Sequence, residues 1–361
     1  MLHKDLEITL HKAAAEELKP KPDQTSLGFG QFFADHMFTM RWTRQQGWDE
    51  ARIEPYRSFE LEPAAMVFHY GQAIFEGMKA YRGADDQIFL FRPEDNLARM
   101  NQSAQRMCMP RFPQDRVLQA LRAMVYLDQE WVPSAPGATL YIRPTMIATE
   151  PVIGLRPAEE YLFFIICCPV GAYYTGGFSP TKIYVEDKYV RAVPGGVGFA
   201  KTAGNYAASL KAQAEAHDKG YTQVLWLDAV EHRYVEEVGT SNIFFVINDE
   251  LITPPLEGSI LPGVTRDSVL QLARDWGCTV RERRITIDEV VTAGESGALT
   301  ESFGTGTAAV ISPVGEFCYR DKTVRINDGQ PGPLAARLYE ELQAIQFGRA
   351  EDPHKWRVRV G

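Results

Sequence analysis

"GVGFAKTAGNY", residues 196–206, sets one lysine among glycines, alanines and a threonine. Lysines ordinarily sit at the surface as solvated charges on long stems. Here the neighbours are too small for a good helix face and too rarely charged for a polar patch. Small residues let a backbone and a bulky planar ligand approach closely. The stretch therefore points to a ligand against Lys201, and the rest of the chain must supply what that ligand needs.

Downstream, "AGNYAASLKAQAEAHDKG" predicts a helix closed by Gly220. "TQVLWLD", "RYVEEVGTSNIFFVIND" and "ELITPP" predict strands joined by short turns, which favours an antiparallel meander. "PGVTRDSVLQLARDWG" and "PLAARLYEELQAI" predict helices, and "TESFGTGTAAVISP" a strand interrupted by a glycine-rich turn. Upstream, Pro93 opens a helix in which Leu97, Met100, Ala104, Met107 and Cys108 share one face. A second helix fits "DRVLQALRAMVYLDQEW". "AMVFHYGQAIFEGMKAYRG", "QIFLFRP", "ATLYIRPTMIATE" and "EEYLFFIICCPV" predict strands and turns. "GAYYTGGFSP" concentrates glycine and proline and marks the linker. The expectation is an α/β (α+β) chain with a smaller N-terminal domain over 1–170, a loop over 171–181 and a larger C-terminal domain over 182–361.

Bulk properties narrow the partners. A chain of 361 residues exceeds one comfortable hydrophobic core, which agrees with two domains. A net charge of −9 argues against nucleic acid or an anionic membrane as partner, since both reward a basic surface. The five cysteines form no CxxC pair, so reduced, buried thiols are expected and no metal site. The N-terminus has no apolar core and no run reaches the roughly 18 residues of a membrane span, so a cytoplasmic protein is expected.

Two turns suit a phosphate. "LPGVTRD" opens a helix with the N–H groups of Val264 and Thr265, and "FGTGTAA" can form a nest of backbone donors. Gly304, Gly306 and Ala309 also fit GxGxxA, but that motif must open a helix, and "AAVISPV" reads as strand. In "EEVGTSNIFF", alternation places Glu236 and Glu237 on opposite faces, so one carboxylate is expected to point inward. A buried carboxylate is costly unless something positive meets it, and a protonated pyridine ring would be such a partner. Pyridoxal phosphate needs these parts: a lysine for its aldehyde, a carboxylate for its ring nitrogen and donors for its phosphate. Partial burial favours the neutral amine that attacks the aldehyde.

Eight segments in order resemble the branched-chain amino acid aminotransferases of the fold-type IV pyridoxal phosphate enzymes. They are "FHYGQAIFEGMKAYRG", "FRPEDNLARMNQSAQRMCMP", "YIRPTMIATEP", "PVGAYYTGGFSP", "GGVGFAKTAGNYAASL", "EEVGTSNIFF", "LEGSILPGVTRDSVL" and "FGTGTAAVISPV". The resemblance implies that Lys201 carries the cofactor and shuttles the substrate proton, that Glu237 pairs with the ring nitrogen, and that Tyr206 bonds the ring hydroxyl. It further implies that Arg99, Val264, Thr265 and Thr307 hold the phosphate, with Thr240 near the ring. Periodicity alone leaves Arg99 opposite the apolar face of its helix, exposed to solvent.

For the substrate the resemblance implies an aromatic box of Phe29, Tyr70, Phe75, Tyr141 and Tyr173, with Ala308 near the substrate carboxylate. Without it, such scattered aromatics read as ordinary core. A greasy box suits leucine, isoleucine and valine, whose side chains each gain roughly 1.5–3 kcal/mol on burial. Arg143 would meet the side-chain carboxylate of glutamate, 2-oxoglutarate being the acceptor, whereas by position it reads as a strand-end surface charge. A homodimer is implied, with residues near Tyr70 reaching the partner's pocket and "GAYYTGGFSP" acting as a flap. Related alternatives are a D-amino acid aminotransferase or an aminodeoxychorismate lyase; an unrelated one is a non-catalytic phosphate-binding protein.

Overall fold

The computed structural model describes residues 6–171, 178–320 and 322–361. The chain divides into two compact units. The first comprises Met1–Tyr173, Ala200–Ala203 and Ala344–Gly361; the second comprises Tyr174–Phe199 and Gly204–Gln343.

The first unit is built on a nine-stranded sheet. Its centre is the antiparallel pair Thr139–Ala148 and Glu160–Val170, in register from Thr139 opposite Val170 to Ala148 opposite Tyr161. His36–Thr43 and Gly47–Pro55 extend the sheet on one side; Met78–Arg82 and Ile88–Phe91 extend it on the other. The helices Pro93–Arg106 and Gln114–Leu127 contribute Leu97, Met100, Ala104, Leu121 and Met124 to a core shared with Phe38, Ile142 and Phe163. Pro93 does sit at the first helical turn, where its missing N–H costs no hydrogen bond.

Four details differ from the sequence-based expectation. "AMVFHY" contributes a short helix, Met66–Tyr70, where aromatic content suggests strand. The helix opened by Pro93 stops at Arg106, which leaves Cys108 beyond its end, exposed and at φ 54°. The last strand, Arg357–Val360, pairs antiparallel with Ile88–Phe91 and so belongs to the first unit. Ala200–Ala203 also clusters there, and the first unit is consequently the longer of the two.

The second unit carries its own nine-stranded sheet. Gln223–Leu227, Val235–Val238, Ser241–Ile247 and Glu250–Thr253 form the expected antiparallel meander. Around it the sheet is mixed, since Thr181–Glu186 runs parallel to both Gln223–Leu227 and Val310–Tyr319. Leu299–Gly306 and Val310–Tyr319 make a hairpin around residues 307–309, so the glycine-rich turn continues into strand and opens no helix. Ile183, Leu225, Phe245, Ile252, Val290 and Phe317 lie in this unit's core. Among the described residues no helix is long and apolar enough to cross a membrane.

Candidate active site

The first unit collects one set of the expected residues. Lys201 is fixed by its main chain: its N–H donates to Ser103 Oγ at 2.9 Å and its carbonyl accepts from Phe75 N–H at 3.0 Å. Thr202 adds a bond from its hydroxyl to the Ala73 carbonyl at 2.7 Å. The lysine backbone is thus stitched between the strand Ala73–Phe75 and the helix Pro93–Arg106, which leaves the side chain to be aimed by two rigid elements. Lys201 Nζ stands 5.3 Å from the Phe75 ring centroid.

Arg143 lies inside the strand Thr139–Ala148 rather than at its end, because Pro144 and Thr145 continue the pairing with Glu160–Val170. Its guanidinium carbon is 4.7 Å from the Phe75 centroid, and Nη2 donates to the Tyr141 hydroxyl at 3.0 Å. Arg143 Nε is buried with no hydrogen-bond partner among the described residues. Phe29 packs edge-on against Tyr141, with centroids 5.0 Å apart. Phe29, Phe75, Tyr141, Arg143 and Lys201 are therefore gathered by this unit. Tyr70 ends the short helix Met66–Tyr70, over a third exposed, with His69 as its ring neighbour. Tyr173 and most of the expected flap lie outside the described residues.

Arg99 is buried, only 6% exposed, contrary to what helical periodicity suggests. The reason is Glu76, fully buried on the segment leading into Met78–Arg82. Arg99 Nε donates to Glu76 Oε1 at 2.7 Å and Nη2 donates to Oε2 at 2.8 Å, a bidentate pair. Lys79, directly across from Tyr141 in register, is buried as well, and burial lowers its amine to about 8. Neither Glu76 nor Lys79 stands out in the sequence, because a strand that alternates under a helix normally buries apolar residues.

The second unit collects the other set. Glu237 and Tyr206 line a cleft with Arg191, Asn205, Ser209, Gly239, Thr240 and Leu261. Glu237 is 3% exposed. It forms an ion pair with Arg191 Nη2 and accepts from Asn242 Nδ2 at 3.1 Å, Asn242 being its cross-strand neighbour. Asn242 Nδ2 also donates to the Leu261 carbonyl at 2.9 Å. Nothing in the sequence marks Arg191, since "DKYVRAVPGG" carries no helical or strand period. Alternation predicts one inward carboxylate, yet Glu236 is buried too. Val235–Val238 has strands on both sides, and Glu236 meets the Ser259 hydroxyl on its own face. Burial pushes the Glu236 carboxyl up, against the Ser259 bond and the Arg191 charge.

Gly198 explains part of the bare stretch before the lysine. A Cβ there would lie 2.1 Å from the Ser259 carbonyl oxygen, so only glycine lets the backbone pass. Gly263 answers the same demand at the start of Val264–Asp275, where a Cβ would lie 2.0 Å from Asn242 Oδ1. That helix begins without a side-chain cap, and Val264 and Thr265 form its first turn. Thr307 and Ala308 lie in the turn 307–309, close in sequence to Thr305, whose buried hydroxyl has no hydrogen-bond partner among the described residues.

These features fit pyridoxal phosphate. A buried carboxylate suits a protonated ring nitrogen, the Tyr206 phenol suits a ring hydroxyl, and an uncapped helix start suits a phosphate. The orphaned Thr305 hydroxyl and Arg191 Nε are donors of the kind an anionic ligand satisfies.

Residues 73–317 match the family model described as amino-transferase class IV. Branched-chain-amino-acid transaminase 1 of Bacillus subtilis (strain 168) is 56% identical over 343 residues, covering 95% of this chain and 96% of its own. Among solved structures, the branched-chain amino acid aminotransferase of Escherichia coli is similar with a TM-score of 0.78 and 26% identity, over 91% of this chain and 100% of that one. The branched-chain amino acid aminotransferase of Thermobaculum terrenum, solved in its PLP-form, is similar with a TM-score of 0.73 and 26% identity, over 92% and 100%.

Proposed function

Because this chain belongs to the amino-transferase class IV family, we propose that it reversibly transfers the amino group of L-leucine, L-isoleucine or L-valine to 2-oxoglutarate, with pyridoxal 5'-phosphate as cofactor. The products are L-glutamate and the branched-chain 2-oxo acid. The observation that carries the reading is Glu237, a buried carboxylate held by Arg191 and Asn242 in a cleft that also contains Tyr206 and Thr240.

When bound, pyridoxal phosphate supplies an electron-accepting ring that stabilises the charge left as the substrate Cα–H bond breaks. Lys201 holds the cofactor through its amine and moves the proton on and off the substrate Cα. Glu237 keeps the ring nitrogen protonated, Arg191 and Asn242 keep Glu237 in place, and Tyr206 donates to the ring hydroxyl. Arg99, Val264, Thr265 and Thr307 hold the phosphate, while Thr240 packs near the ring.

Phe29, Tyr70, Phe75, Tyr141 and Tyr173 form the apolar substrate box, and Ala308 lies near the substrate carboxylate. Arg143 receives the side-chain carboxylate of glutamate. Its contacts with the Phe75 and Tyr141 rings support this, since an aromatic cradle keeps the cation in place when an apolar substrate leaves it unpaired. The chain acts as a cytoplasmic homodimer. Phe68, Tyr70, Ile153 and Leu155 are exposed on two segments joined by the bond from Met66 N–H to the Glu150 carbonyl, and exposed apolar residues of this kind support the dimer reading.

A panel of amino donors tests the substrate class. With 2-oxoglutarate as acceptor, L-leucine, L-isoleucine and L-valine should each exceed D-alanine by at least about 100-fold in kcat/KM, a margin of roughly 2.7 kcal/mol. A preference for D-alanine would replace the proposal with a D-amino acid aminotransferase. Glu237→Gln should slow Cα proton removal on the order of 100-fold, because it removes the charge that keeps the ring protonated. Single-turnover rates with L-leucine equal to those of the unchanged protein would refute that role.

A further inference from the structure

The segment ahead of the strand His36–Thr43 is tied down by several side-chain bonds. Asp35 Oδ1 accepts from Lys19 N–H at 2.9 Å, while Oδ2 accepts from Trp131 Nε1 at 2.7 Å and from Lys21 Nζ at 2.9 Å. Next to it, His36 N–H donates to Asp128 Oδ2 at 2.9 Å, and His36 Nδ1 lies 2.6 Å from Asp128 Oδ1. His36 Nε2 accepts from Ala13 N–H at 2.9 Å, which places the ring proton on Nδ1, facing Asp128.

Lys19 Nζ donates to the Ala34 carbonyl at 2.8 Å and stands 4.2 Å from the Tyr56 centroid; Lys21 Nζ stands 4.2 Å from the Trp131 ring. Burial acts against the charge of Asp35, yet the bonds from Trp131, Lys21 and Lys19 hold its carboxyl below the ordinary value. Gln24 completes the set, accepting from Ser134 and Ala135 N–H at 2.9 Å each.

These bonds close both ends of one excursion of the chain. It runs from Gln24 to Asp35, held in between by the buried Leu27 and by the Gly28 carbonyl, which accepts from Gly171 N–H at 3.2 Å, and Phe29 lies next to that hold. Phe29 meets Tyr141, Phe33 stacks on Tyr56 with centroids 5.3 Å apart, and Ala34 N–H donates to the Cys167 carbonyl at 2.9 Å. Lengths of chain this short transmit the position of each hold to the residues beside it, because few backbone states satisfy all the anchors at once.

We propose that Asp35, with His36 and Asp128 behind it, is a positioning residue for the substrate box: it clamps residues 25–34 so that Phe29 is held against Tyr141. The proposal deepens the aminotransferase reading and rests on it for the identity of the box. Asp35 touches neither substrate nor cofactor; it acts through Phe29. Loosening the clamp therefore costs the apolar wall and spares the chemistry at Lys201.

Asp35→Asn is the informative change, since it replaces Oδ2 by an NH2 group that faces two donors, Trp131 Nε1 and Lys21 Nζ. The expected result is a KM for L-leucine raised about three- to tenfold, the scale of one lost aromatic contact, with kcat within about twofold. In a Phe29→Ala background, Asp35→Asn should raise KM no further, because the contact it acts through is already gone. Unchanged KM in the single variant, an effect that multiplies in full with Phe29→Ala, or an equal fall in kcat would each overturn the proposal. Hydrogen exchange of residues 25–34, read without substrate, should be faster in Asp35→Asn, and equal exchange would overturn the clamp even if leucine proved not to be a donor. Lys21→Met, at a partly exposed position, carries the same test if the aspartate variant fails to fold.

Discussion

Replacing Lys201 by alanine should leave a folded protein whose transamination of L-leucine falls by about four orders of magnitude or more. The fold is expected to survive because the local structure at 201 is made by the backbone. The bonds to Ser103 and Phe75 use the Lys201 N–H and carbonyl, which alanine keeps. Activity is expected to vanish because the amine is asked to hold the cofactor and to move the Cα proton, and no methyl group does either. Lys79 is a buried amine on the strand Met78–Arg82, lowered to about 8 by its burial, so it is the natural control. The measurement is the rate with L-leucine and 2-oxoglutarate in each variant, together with borohydride reduction and peptide mapping of the unchanged protein. A Lys201→Ala rate within tenfold of the starting protein, or a label on the Lys79 peptide, would remove Lys201 from the centre of the reaction.

Much of this is legible in the residues, and the reasons are local. The lysine stands out because the glycines and alanines around it have no side chain that competes for attention. Gly198 shows that one of those residues is also demanded by the Ser259 carbonyl. The carboxylate of Glu237 is legible through strand alternation, but the burial of Glu236 is not, since alternation tells faces apart without saying whether both are covered. Arg99 is not legible at all from periodicity. Helical patterns register apolar faces, and its burial depends on a partner 23 positions away in sequence, Glu76. Arg191 escapes for the same reason, being placed by tertiary contact with Glu237 and not by any period of its own. The final strand, Arg357–Val360, is four residues long, too short for alternation to separate it from a frayed end.

The pair of Glu76 and Arg99 leads to the second large effect. Glu76→Ala should lower the stability of the protein without cofactor by about 3–5 kcal/mol, because it removes the carboxylate paired bidentately with a buried guanidinium. The exposure of the two side chains, 0% for Glu76 and 7% for Arg99, is what puts the change in this class and not among surface ion pairs worth under about 1 kcal/mol. Urea denaturation measures it, and a shift below about 1 kcal/mol would mean that water reaches the arginine. The double change Glu76→Leu with Arg99→Met separates stability from function. Well-packed apolar replacements remove both charges at once, so the double variant should be more stable than Glu76→Ala. It should nevertheless bind pyridoxal phosphate on the order of 100-fold more weakly, since the charge-assisted phosphate contact proposed for Arg99, roughly 1.5–3 kcal/mol, would be gone. If the double variant retained the cofactor as tightly as the starting protein, the pair would be a structural element alone, and the phosphate would depend on the first turn of Val264–Asp275 and on Thr307.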